Sequence, residues 1–124
     1  MDLTGTWESA DYECRGTKRT ERVEISHVEQ HLTAVKITGD DCVPAGFGTF
    51  TGRLPAGSSV GAIMWTTGTP RAPASAQAAG FLMVVDQDTF RAGSEHMSDM
   101  TFTRVLDREA HPKRSPSCGT GVAR

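Results

Sequence analysis

Lys36, Asp40 and Asp41 put one cation and two carboxylates inside a single short stretch, with Pro44 just beyond them. A lysine amine or arginine guanidinium turned into a protein interior has to be paired, because an isolated buried charge is strongly unfavourable. Lys36 and Arg91 each raise that question, since each falls in a strand pattern near its end. Either could hold a carboxylate or amide oxygen of a ligand, or pair internally with Asp40 or Asp86. Asp40 and Asp41 also serve as turn formers with surface charge. A catalytic carboxylate pair would need a cleft and two well-separated pKa values, and nothing in the sequence supports one. Trp65 alternates with Gly61 and Ile63, and an aromatic ring with one polar edge suits either a core or a ligand wall. The candidate ligand-binding residues are therefore Lys36, Asp40, Asp41, Pro44, Trp65 and Arg91.

Several chemistries find no support. The three cysteines form no CxxC pair, and His27, His31, His96 and His111 have no metal-ligand spacing. No phosphate loop, nucleophile elbow or dinucleotide fingerprint occurs. No catalytic residue, metal or cofactor is assigned. A net charge of −2 favours neither nucleic acid nor an anionic membrane surface. No apolar run approaches the length of a membrane-spanning helix. The N-terminal residues show no basic region followed by an apolar stretch, so a cytoplasmic protein is expected.

The elements that must position these residues are strands. Apolar residues recur with period two, and no window carries a three-turn helical stripe. Eight strands are predicted, at 3–10, 20–28, 31–38, 48–54, 59–67, 80–86, 89–92 and 99–106. At 124 residues and 37% hydrophobic content, one domain with one core is expected. It covers residues 1–106, and residues 107–124 are expected to be a disordered tail. Eight consecutive strands with short connections predict an all-β, antiparallel up-and-down barrel. Alternate loops of such a barrel share one end. The connections at 11–19, 39–47, 68–79 and 93–98 read as long, and those at 29–30, 55–58 and 86–88 as short. The long ones would form one rim, where a small barrel's ligand site commonly opens. Cys14 and Cys42 would share that rim, where a disulfide between them is one arrangement and two thiols the other. Phe81 to Val85 is apolar on both faces, either a core strand or one covered outside by a partner.

Three segments carry a resemblance. Leu3-Thr4-Gly5-Thr6-Trp7 resembles the first-strand Gly-x-Trp signature of lipocalins and avidins, whose Trp packs across the closed base of the barrel. Lys36-Ile37-Thr38-Gly39-Asp40-Asp41-Cys42-Val43-Pro44-Ala45-Gly46, followed by Thr49-Phe50, resembles a signature of the lipocalin-like barrels that serve as substrate-binding domains of certain F-box proteins. One of those recognises cyclin D and C-terminally amidated peptides. Asp86-Gln87-Asp88-Thr89-Phe90 matches a further segment of that family. The F-box itself has no counterpart here, the first loop departs from the family's, and the segment between the fifth and sixth strands is degenerate. The resemblance implies a lipocalin-like barrel that binds a peptide or protein C-terminus, or a small molecule, at its open end. A cofactor-free isomerase or cyclase using Lys36, Asp40 or His96 as acid or base is the alternative. A module that docks through the outer face of the sixth strand, as a homodimer, is a third.

Overall fold

Period-two alternation builds eight strands: β1 (Gly5–Cys14), β2 (Thr17–Val28), β3 (His31–Lys36), β4 (Gly48–Arg53), β5 (Val60–Thr67), β6 (Ala76–Asp86), β7 (Thr89–Ser94) and β8 (Met97–Arg104). The structure, a computed structural model, describes residues 2–14, 16–39, 43–67, 72, 76–94 and 97–105. Each strand pairs antiparallel with the next, and β8 returns to β1 to close the barrel. The closing ladder is short, with Trp7 opposite Arg104 and Glu8 opposite Thr103. Asp11 extends the seam, because its Oδ2 accepts the Thr101 N–H at 3.1 Å. Among the described residues no helix is long and apolar enough to cross a membrane.

The eight-stranded barrel expected from the sequence is present, but some strand limits differ. β1 and β2 run on to Cys14 and Thr17, so the expected loop at 11–19 is mostly paired ribbon. The ribbon escapes sequence reading because Thr17 to Thr20 are all exposed and carry no apolar alternation. A bulge between Ser9 and Tyr12 breaks the alternation as well. β6 begins at Ala76 rather than at Gly80, since its first turn-like residues pair with Trp65 to Thr67 of β5. β7 reaches Ser94, and β8 starts at Met97. The two connections at that end that stay long are 37–47, between β3 and β4, and 68–75, between β5 and β6. The expected tail lies outside the described residues.

The barrel axis is occupied by aromatic side chains. Trp7, Phe50, Phe90 and Phe102 are fully buried, and Trp65 nearly so. Phe90 is the hub: Trp7 meets it edge-on at 4.7 Å, Phe102 stacks on it at 4.9 Å, and Phe50 lies 6.5 Å away. Phe50 in turn meets Trp65 at 5.1 Å. Offset and edge-on pairs of this kind add roughly 0.5–1.5 kcal/mol each beyond their buried area. Outside, Val60, Met64, Met83 and Val85 leave β5 and β6 with an exposed apolar face.

At the short-turn end, Arg104 joins the chain termini of the barrel. Its guanidinium lies 4.4 Å from the centre of the Trp7 ring. It donates to the carbonyls of Thr4 (2.9 Å), Asp2 (3.1 Å) and Gln87 (2.7 Å), and to Asp88 Oδ1 (3.1 Å). A planar five-donor fork can serve this many acceptors, and an ammonium cannot. Arg104→Lys is therefore expected to cost about 1–3 kcal/mol. A shift of the urea midpoint with an unchanged slope would report it, and an unshifted midpoint would contradict the staple.

Candidate functional site

Among the described residues, five buried ones are polar or charged: Ser9, Glu21, Lys36, Thr49 and Ser94. Their positions along the strands place all of them in the half of the barrel nearer the long-loop end. Ser9 lies directly opposite Glu21 in the β1–β2 ladder. Lys36 is the last residue of β3, in register with Val23. Thr49 follows from a bulge in the β3–β4 ladder, which leaves Thr49 and Phe50 both buried. Ser94 ends β7, opposite Gly80.

The charged centre of this layer is an ion pair. Lys36 Nζ stands 2.7 Å from Glu21 Oε2, with the two side chains 0% and 1% exposed. Both ions have lost their water, so the attraction is strong and is opposed by a desolvation cost of several kcal/mol per ion. Apolar residues of the same volume would serve stability about as well. A pair of this kind in a cleft or barrel mouth therefore marks a candidate site.

Lys36 also anchors the loop above the pair. Its N–H donates to the Phe47 carbonyl and its carbonyl accepts from Gly46 N–H, both at 2.9 Å. Phe47 N–H then donates to the Pro44 carbonyl at 3.2 Å. A side chain at Gly39 would run into the backbone nitrogen of Ala45, so a hydrogen is required there for the loop to fold back. The folded loop presents Val43, which is 1% exposed and belongs to the core cluster with Trp65.

Trp65 forms the adjoining wall. Its indole Nε1 donates to the Gly93 carbonyl at 3.1 Å. The ring reaches that carbonyl because Gly80 leaves room: a Cβ on Gly80 would lie 2.6 Å from Trp65 Nε1.

Of the six residues expected to bind ligand, Lys36 and Trp65 are both buried inside the barrel, and Pro44 is half-buried in the loop above them. Asp40 and Asp41 lie outside the described residues, as does Cys42. Arg91 stands apart on the outer wall, half-exposed, where it pairs with Asp99 at 2.9 Å rather than with Asp86. Lys36 has an internal partner in Glu21, which was not among those expected. Sequence reasoning missed Glu21, although alternation through Val23, Ile25 and His27 extends back to it. Among the described residues no cluster of His, Cys, Asp and Glu could hold a metal ion. In comparisons with known proteins, the chain matches no family model, no curated protein and no solved structure.

The ion pair can be tested by a double-mutant cycle. Lys36→Met alone should cost about 3–5 kcal/mol, because it strands a buried carboxylate. Lys36→Met with Glu21→Leu should recover most of that loss in chemical denaturation. A double variant as unstable as the single one would contradict the pairing.

Proposed function

We propose that this chain is a lipocalin-like binding barrel whose ligand ends in a carboxamide or carboxylate and docks at the long-loop end. The C-terminus of a peptide or protein is the natural source of such a group, and a small molecule carrying the same group is the other. The observation that carries this reading is the segregation of the buried polar residues, with the Lys36–Glu21 pair at their centre, into that half of the barrel. A carboxamide offers an acceptor oxygen for Lys36 and donor N–H groups for Glu21, so it complements the pair without leaving either ion unsatisfied.

Magnitudes limit the mode of binding. Access to Lys36 runs past Val43, and uncovering one such side chain costs about 1.5–3 kcal/mol. One charge-assisted hydrogen bond returns about the same, 1.5–3 kcal/mol. The terminal group thus supplies selectivity, and net affinity must come from the rest of the ligand. Ile37 and Phe47, exposed beside the loop, offer apolar surface for it. The alternative of a cofactor-free isomerase or cyclase leans on Lys36, Asp40 or His96. Lys36 is tied to Glu21, and the other two lie outside the described residues, so no particular observation favours catalysis.

The test is a set of short peptides with one common sequence ending in carboxamide, free carboxylate or methyl ester, titrated by calorimetry. The carboxamide or the carboxylate should bind at least about tenfold more tightly than the ester, a difference of about 1.4 kcal/mol. The Lys36→Met, Glu21→Leu double variant should lose that preference while remaining folded. Equal affinities across the three ends, or an unaltered preference in the double variant, would overturn the reading.

A further inference from the structure

The opposite end of the barrel contains a cavity of about 400 Å³, lined by His27, Glu29, the 54–59 connection and Val84. That volume falls within the usual range for small-molecule sites, roughly 300–1,000 Å³. Its walls are pinned by backbone hydrogen bonds. Leu54 N–H donates to the Gln30 carbonyl (2.8 Å), Ser58 N–H to Pro55 (3.0 Å) and Val84 N–H to Ser59 (2.7 Å). Ser58 Oγ closes the turn by accepting from Val60 N–H at 3.1 Å. The site is therefore preformed.

His27 supplies the polar anchor. Its side chain is 7% exposed. Leu3 N–H donates to its Nδ1 at 3.0 Å, so the neutral ring carries its proton on Nε2. Its backbone is fixed by Thr4 Oγ1, which accepts the His27 N–H at 3.2 Å. Nδ1 is thus engaged, and Nε2–H is the donor left to a ligand.

The charge at this end is negative. Glu29 lines the cavity, with Asp2, Asp86 and Asp88 on neighbouring segments. The carboxyl of Asp2 is held below its ordinary value of 3.8, chiefly by the Thr4 N–H. Of the two arginines here, Arg104 is committed to Asp88 and the backbone, and Arg53 donates to Gln30 Oε1. Leu54, Pro55 and Val84 add an apolar surface.

We infer that this cavity is a second binding site, for a small organic amine that also carries a hydroxyl or carbonyl oxygen on an apolar body. The oxygen accepts from His27 Nε2–H, the ammonium faces Glu29, and the body lies against Leu54, Pro55 and Val84. Glu29 also has φ of 58°, a left-handed conformation that glycine adopts more easily than glutamate. Glu29→Gly therefore removes the carboxylate while relieving the backbone, so loss of binding in that variant is not loss of fold.

Three probes separate the contributions: 2-amino-1-phenylethanol, phenethylamine without the oxygen, and 1-phenylethanol without the amine. Each is titrated into the full chain, following backbone amide resonances. The amino alcohol should give saturable shifts at Ala56, Gly57 and Ser58 at millimolar concentration, binding about fivefold or more tightly than either control. Glu29→Gly should abolish its advantage over 1-phenylethanol and leave the melting temperature no lower. The inference fails if no saturable shift appears, if the three probes bind alike, if Glu29→Gly changes nothing, or if the shifts fall at Ile37, Val43 and Phe47.

Discussion

Lys36 is where the chain's architecture meets its chemistry. Its amine sits against Glu21 of the neighbouring strand, out of water. Its backbone N–H and carbonyl hold the returning end of the loop, at Phe47 and Gly46. One residue therefore fixes the β2–β3 neighbourhood, the start of β4 and the position of Val43. The pair is out of water, and the low dielectric there strengthens the attraction. Lys36 thus takes part in both the buried ion pair and the return of the chain toward β4.

The two halves of the barrel are stabilised by different physics. Toward the short-turn end the interior is apolar and aromatic, with Trp7 between Phe90 and the Arg104 guanidinium. Hydrophobic burial and ring packing dominate there, and they tolerate no solvent. Toward the long-loop end the buried polar layer spends part of that burial on desolvation. A barrel interior this fully packed with aromatics has little room for a ligand on its axis. The cavity of about 400 Å³ accordingly lies at one end, lined largely by a loop.

Much of this was legible in the sequence, and the failures have identifiable causes. Alternation located the strands because inward positions such as Leu32, Ala34 and Lys36 share one face with period two. The same alternation, combined with a tight turn at Glu29-Gln30, sets Val23 opposite Lys36 and puts Glu21 diagonally across on the same face. Glu21 was thus accessible to register reasoning and lay within the strand expected at 20–28, but a charged residue does not announce itself as core. Only the outer part of the β1–β2 hairpin was missed, because a bulge after Ser9 and the exposed run from Thr17 to Thr20 leave no alternation to mark it. Arg91 was harder to place. Phe90 and Ala92 beside it are buried, which puts Arg91 outside, yet a strand read as only four residues long offers too little alternation to decide a face.

The long-loop motif shows why local sequence can predict a structured loop without predicting its purpose. Gly39 is required by the close approach of Ala45 and Val43 by its place in the core, while Pro44 suits a turn by its fixed φ. Each of these requirements is steric or geometric, and a loop could meet all of them over an apolar floor. The floor is what differs. Lys36, Glu21, Ser9, Thr49 and Ser94 come from five strands spread over most of the chain. No local window contains that constellation. It exists only once the barrel closes, and it is the closure, more than any motif, that turns a well-made loop into the cover of a polar site.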